Sequence, residues 1–366
     1  MKLGCLAGVE YKGKIVFSPM YSNGLFELDT TTGMTRLIKI VKKELNVQAL
    51  YRKAVLHNGE AWFIPQKGNN ILKINLETYE LQYLKVDYNV KFDTSGNYPY
   101  YYMFIDCSVI LDKYLVCVPS GIDAVVIIDM DSNKMISVPN IANPNIDKVH
   151  TAFFTNENIN IISEKGKLDK RINMADYSVE PADWEFDSSY FSSAIKFKDY
   201  LYLIPNRKDG ELKLAKMNLM TKSIEYYQLP RTEDGYYGGV IWDKWLMMFP
   251  DNGARILRFD LHNSSFKFIN YPVEIRKYIT GDKTIVRLID SNDKLFVSLC
   301  VEGFVLEFDK SGEITDYYDV IDMNDEERNK IFENDNRVNN EIFTKEGEPL
   351  SLADYIYMIS LKEDMT

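Results

Sequence analysis

The chain repeats one short unit along most of its length, and this repeat restricts the fold more than any other feature. The unit is first complete at 15–29: an apolar strand ending at Pro19, a short gap, then a second strand, Gly24-Leu-Phe-Glu-Leu-Asp29. Marked by the ends of these two strands, the copies are Pro19 with Asp29, Pro65 with Asn75, Pro119 with Asp129, Ser163 with Asn173, Pro205 with Asn218, Pro250 with Asp260, and Leu299 with Asp309. The spacing is ten residues in six copies and thirteen in the fifth, where 206–211 (NRKDGE) lengthens the loop. Seven copies at a period of about 47 residues suit propeller blades and exceed leucine-rich or ankyrin repeats.

The residue types at the marks have physical reasons. Proline cannot donate to a strand ladder, so it fits where a strand stops. Asp or Asn closing the next strand can bond its own backbone two residues on and start a hairpin to a further strand, as in Asp29-Thr-Thr-Thr-Gly33. A further run follows, for example 34–38, 80–84, 223–228 and 313–318. A leading strand precedes each copy. Ten residues before the marks stand Val9, Val55, Val109, Phe153, Ile195, Val240 and Ile289, which predicts a core face in every copy. Eleven before stand Gly8, Ala54, Ser108, Ala152, Ala194, Gly239 and Leu288, small in six cases, as crowded innermost strands of a toroid require.

Four antiparallel strands per copy predict an all-β fold, a seven-bladed β-propeller with blades near 3–40, 50–86, 101–138, 148–180, 190–229, 236–270 and 284–319. On these marks the chain resembles the β-propeller superfamily from Leu3 to Val320, with a third-strand motif similar to kelch-like and quinoprotein-like blades. It lacks the kelch di-glycine and the Gly-His and Trp-Asp pairs of WD40 blades, so the resemblance implies a fold and no activity. Only Met1 and Lys2 precede the first strand. The expectation is therefore that first and last blades meet by side-chain packing alone, helped by a C-terminal helical tail at 321–366. In that tail Asn324 to Glu327 reads as a capping box, and Leu352, Tyr355, Ile356 and Ile359 fall on one helical stripe that either docks on the propeller or meets a partner.

Composition narrows the function classes. With 25 Tyr and 19 Phe the chain favours strands, and a net charge of −11 without a basic run argues against nucleic acid. No apolar stretch approaches the length of a membrane helix, and 1–10 does not read as a signal peptide. Cys5, Cys107, Cys117 and Cys300 lack metal spacing and sit in apolar runs, which predicts reduced thiols in the cytoplasm. His57, His150 and His262 have no ligand companions, and Asp129-Met-Asp131-Ser-Asn133 departs from an EF-hand at its sixth and twelfth places, so no metal or cofactor is expected.

The remaining lead is the start of the leading strands. Twelve and thirteen residues before the marks the apolar pattern breaks at Arg52 and Lys53, Asp106, His150 and Thr151, Ser192 and Ser193, Tyr237, and Arg287. Either a wet channel tolerates these side chains, or they converge on one pocket at its rim. Arginines on innermost strands need a partner or an anion. Aromatic connectors at 97–102, 184–191 and 235–238 enter the same rim, as platforms for a ligand or as packing for the loops.

These residues predict a non-catalytic module binding a peptide, protein, glycan or small anion at the rim. The alternative is a hydrolase or lyase with Asp106 and His150 as acid and base; a third reading makes the tail helix a contact in an assembly.

Overall fold

The computed structural model describes residues 3–20, 22–44, 49–86, 103–119, 122, 124–139, 149–155, 157–163, 167–185, 191–205, 212–230, 235–250, 255–279, 286–320 and Glu326. The expected tail at 321–366 lies, apart from Glu326, outside them, as do the connectors 97–102 and 186–190.

Among the described residues seven four-stranded antiparallel sheets follow one another along the chain. Blade 1 holds β1 (Cys5–Tyr11), β2 (Lys14–Pro19), β3 (Gly24–Asp29) and β4 (Thr35–Ile40). Blade 2 holds β5 (Tyr51–His57), β6 (Glu60–Pro65), β7 (Asn70–Asn75) and β8 (Leu81–Lys85), and blade 3 holds β9 (Phe104–Ile110), β10 (Tyr114–Pro119), β11 (Val125–Asp129) and β12 (Lys134–Val138). Blade 4 has β13 (Val149–Thr155), β14 (Asn158–Ser163), β15 (Lys167–Asn173) and β16 (Val179–Glu185). Blade 5 has β17 (Phe191–Phe197), β18 (Tyr200–Pro205), β19 (Lys213–Asn218) and β20 (Ile224–Gln228). Blade 6 has β21 (Tyr236–Trp242), β22 (Trp245–Pro250), β23 (Ile256–Asp260) and β24 (Phe266–Ile269). A one-turn helix α1 (Val273–Arg276) leads to blade 7, with β25 (Val286–Ile289), β26 (Leu295–Leu299), β27 (Phe304–Phe308) and β28 (Ile314–Asp319).

The turn chemistry follows the repeat. The hairpin from β5 to β6 turns on Asn58 (φ 49°) and Gly59 (φ 75°), the double positive φ of a type I′ turn, which matches the twist of the paired strands. At the closing marks, Asp29 Oδ1 accepts from the N–H groups of Thr31 (2.8 Å) and Thr32 (3.0 Å). Asn75, Asp129, Asn173, Asn218 and Asp260 also accept from the N–H two residues on. In blade 7 Asp309 takes instead the Ser311 hydroxyl (2.6 Å) and the Glu313 N–H (3.2 Å).

The apolar residues gather between blades. Trp62 and Ile64 of blade 2 pack with Leu115 and Val126 of blade 3, and a comparable cluster fills each junction round to blade 7. The last cluster joins the ends: Phe17 and Phe26 of blade 1 pack on Ile289, Phe296 and Val305 of blade 7. Each such side chain, fully buried, contributes roughly 1.5–3 kcal/mol, so the ring holds together by the same force at every junction. The chain is a seven-bladed β-propeller.

Closure is not by packing alone, as the sequence led us to expect. The Glu10 N–H donates to the Asp290 carbonyl (2.7 Å) and the Asp290 N–H to the Gly8 carbonyl (3.1 Å), a parallel bridge between the innermost strands of blades 1 and 7. The Asp290 carboxylate then reaches one blade further and accepts from the Leu56 N–H (2.7 Å). Gly4, at φ +58°, lets the chain pass blade 7 so closely that a Cβ there would stand 2.0 Å from the Cys300 carbonyl oxygen. Other junctions are tied at hairpin tips, where Tyr11 Oη donates to Glu77 (3.1 Å), His57 bonds Asp131 (2.7 Å) and Trp242 Nε1 donates to the Asp309 carbonyl (2.7 Å).

The register of the innermost strands departs from the expectation in two ways. Six of them open with a β-bulge in which one residue is skipped in pairing: between Cys5 and Ala7, Tyr51 and Lys53, Phe104 and Asp106, Val149 and Thr151, Phe191 and Ser193, and Tyr236 and Gly238. In blade 3, moreover, Ile110 pairs with Tyr114 across three residues, whereas Tyr11 pairs with Lys14 across two. Counting back from Pro119 is therefore off by one, and a one-residue slip exchanges the faces of a strand. Val109 is 41% exposed instead of buried, while Val9, Val55, Phe153 and Ile289 lie in the core as expected and Ile195 and Val240 are half-buried.

Candidate functional site

The bulges define the site. In each blade one residue of the innermost strand pairs with the residue before the strand-ending mark, and these partners place seven positions at one level around the axis. They are Ala7, Lys53, Asp106, Thr151, Ser193, Gly238 and Arg287. Asp106 thus shares a level with Lys53 and Arg287, whereas a count from Pro119 places Cys107 there. The skipped residue just ahead is Leu6, Arg52, Ile105, His150, Ser192 or Tyr237; bulges re-aim side chains in this way at rims and sites. The preceding residues Cys5, Tyr51, Phe104, Phe191 and Tyr236 are buried and anchor the strand starts. Tyr236, in a connector expected either to offer a ligand platform or to pack its loop, is a core residue.

Arg52, Lys53, Asp106 and Arg287 border one cavity of about 780 Å³ at the axis. His150, Ser192 and Tyr237 have backbones at the bulges, but their side chains, like that of Thr151, lie outside the described residues. Ser193, at the shared level, lines the cavity.

Lys53 Nζ lies 3.2 Å from Asp106 Oδ1 and donates to the Cys107 carbonyl at 2.6 Å, and Asp106 Oδ1 accepts from the Cys107 N–H at 2.8 Å. Burial works against the Lys53 ammonium, but the charges of Asp106 and Asp290 outweigh it and hold its pKa above the ordinary value. Arg287 donates from Nη1 to its neighbour's carbonyl, Val286 O, at 2.8 Å, which steadies its guanidinium at the cavity wall. Burial pushes the Cys107 thiol up to about 12 and the Cys300 thiol up to about 11, so neither is a nucleophile near neutral pH. Among the described residues no group of three His, Cys, Asp or Glu side chains could hold a metal ion.

Several lining residues were missed by the sequence reading. Lys196 lies three residues beyond Ser193, about 10 Å deeper along the strand. Phe249 belongs to the second strand of blade 6 and is paired with Gly238. The signal available was glycine where other blades carry a side chain, since that opening lets a second-strand residue line the cavity. Val109, Leu111, Phe153, Phe154 and Ile195 complete an apolar wall. Among the described residues the titratable lining is four cations, Arg52, Lys53, Lys196 and Arg287, against one carboxylate, Asp106, in a chain of net charge −11.

No protein-family model and no curated protein matches the sequence. Solved structures do. Virginiamycin B lyase from Staphylococcus aureus superposes with a TM-score of 0.56 at 13% identity, over 82% of this chain and 95% of the lyase. YCF48 from Cyanidioschyzon merolae gives 0.56 at 11% identity, over 85% and 96%. The dihydro-heme d1 dehydrogenase NirN, solved in complex with DHE, gives 0.54 at 12%, over 85% and 64%. At these identities the likeness establishes the fold alone.

Proposed function

We propose that this propeller is a non-catalytic binding module whose site is the central cavity, and that its ligand carries a negative charge. The observation that carries this reading is the inversion of charge: among its described residues a strongly acidic chain turns four cations and one carboxylate towards a cavity of about 780 Å³. That volume is the size of small-molecule sites, and concave walls of one sign focus the field on a ligand of the other. Arginine is suited to the role because its planar fork matches carboxylate and phosphate groups. Enzymes occur among the similar folds, as the lyase and the dehydrogenase illustrate. Against a hydrolase or lyase here, the Asp106 carboxylate is already engaged by Lys53 and the Cys107 N–H, the arrangement of a structural acid rather than a free general base.

The test is thermal shift of wild type and Arg287→Ala with a panel of small carboxylates and phosphates. A ligand at 100 times its Kd stabilises by about 2.7 kcal/mol. At about 2.1 cal/mol/K per residue over 366 residues, that raises Tm by roughly 3–4 °C. If no anion shifts wild type more than the variant, the reading is wrong.

A further inference from the structure

The cations of the cavity stand at two depths. Lys53 and Arg287 lie at the shared level, with Arg52 one residue ahead in its bulge, and Lys196 lies three residues beyond that level, about 10 Å deeper. Between these depths the described lining comes from blades 3 to 7 and carries no charge. Its one polar side chain is the Ser108 hydroxyl; the others are alanine, glycine or larger apolar residues such as Phe153, Ile195 and Leu288.

Lys196 is the cation that the protein itself leaves unanswered. Lys53 is held by Asp106 and the Cys107 carbonyl, and Arg287 by the Val286 carbonyl. Lys196 is exposed to the cavity and has no hydrogen-bond or ion-pair partner among the described residues. The fold does not call for a cation there, since the equivalent positions of blades 2, 3, 4 and 6 hold Leu56, Val109, Phe154 and Ile241. The same positions of blades 1 and 7 hold Glu10 and Asp290, but neither lines the cavity. Glu10 accepts from the Gly13 N–H (2.7 Å) and the Ser291 hydroxyl (2.8 Å), and Asp290 from the Leu56 N–H (2.7 Å).

Resting on the reading above, we infer that the ligand is an elongated dicarboxylate, with one acid group at the depth of Arg287 and Arg52, the other at Lys196, and an uncharged body across the roughly 10 Å between them. The guanidinium forks match a carboxylate at the first depth, and a single ammonium on a flexible stem meets the singly charged far end. A compact anion such as phosphate reaches one depth only and leaves Lys196 unused.

Calorimetric titration of the full chain with nonanedioate, whose acid groups can stand that far apart, and with nonanoate, which has the same body and one acid, tests this. A hydrogen bond between charged groups corresponds to about tenfold in affinity or more, so nonanedioate should bind about tenfold more tightly than nonanoate. Arg287→Ala should weaken both by about tenfold. Lys196→Met keeps the side-chain stem at an exposed position and should erase the advantage of nonanedioate, and the loss it causes should grow from butanedioate to nonanedioate. Lys85→Met removes the same charge from an exposed position on β8, outside the cavity lining, and should change neither affinity. Equal affinities for the two acids in wild type, both still dependent on Arg287, would overturn the dicarboxylate and leave the anion site standing. An advantage that survives in Lys196→Met, or is lost equally in Lys85→Met, would overturn it in the same way. Binding that Arg287→Ala leaves unaltered, or no binding of either acid, would also overturn it, with the thermal-shift panel above reading the anion site separately.

Discussion

Asp290 ties three blades together, blade 1 through its backbone and blade 2 through its carboxylate, and removing the carboxylate is a direct probe of ring closure. Asp290→Ala keeps the backbone bridge to Gly8 and Glu10 but deletes the acceptor of the Leu56 N–H, now bonded at 2.7 Å. Hydrogen bonds to a charged group are worth about 1.5–3 kcal/mol. Part of this is offset, because burial already penalises the ionised Asp290 and raises its pKa, against the opposing pull of the Leu56 N–H and Lys53. We expect a loss of about 2 kcal/mol in urea unfolding, or roughly 2–3 °C in Tm for 366 residues. Asp290→Asn keeps an amide oxygen for Leu56 and should stay within about 1 kcal/mol of wild type.

The pH profile adds a second reading of the same group. Its folded pKa is raised above 3.8, so the native state holds this proton to higher pH than the unfolded chain does. The contribution of Asp290 to stability is therefore most favourable below 3.8 and declines as pH rises through the folded value. Relative to wild type, Asp290→Asn should gain stability across that rise. If Asp290→Ala and Asp290→Asn unfold together within about 0.5 kcal/mol of wild type at neutral pH, the carboxylate does not secure the ring.

Other expectations test neighbouring parts of the argument. Glu27 is buried and bonded by Arg36 (2.8 Å), Lys14 (3.2 Å) and Tyr79, and these partners overcome its burial to lower its pKa below 4.5. Its contribution is present above 4.5 and lost as pH falls through the folded value, so the deficit of Glu27→Gln in urea should be full at pH 7 and narrow in acid. A Cβ on Gly239 would stand 2.4 Å from the Met247 carbonyl oxygen, so Gly239→Ala should cost about 1–3 kcal/mol, whereas Gly238→Ala should unfold within about 0.5 kcal/mol of wild type.

Much of the fold was legible because its determinants are local. Asp29, Asn75, Asp129, Asn173, Asn218, Asp260 and Asp309 each cap their own hairpin, so seven marks in the sequence translate into seven sheets. What escaped depends on hairpin length and on partners far along the chain. The extra residue among Leu111, Asp112 and Lys113 moves Asp106 one place, and no residue type near Pro119 signals it. The closing bond from Leu56 to Asp290 spans 234 positions. Arg52, Lys53, Asp106 and Arg287 were readable as a group because charge on an innermost strand is costly wherever it falls. Phe249 was not, because its access depends on Gly238 across the ladder.

The variety at one level of the channel carries the functional argument further than any single residue. Two places earlier, the strand starts hold Cys5, Tyr51, Phe104, Val149, Phe191 and Tyr236, apolar in every case, because the junctions between blades demand it. At the shared level the same backbone geometry holds alanine, lysine, aspartate, threonine, serine, glycine and arginine. A requirement of the fold acts on all blades alike and would leave a common residue type, as it does at the earlier position. Seven different answers to one geometry show that the fold imposes no common residue type there. The fold therefore leaves these seven positions available to the anionic ligand proposed for the cavity.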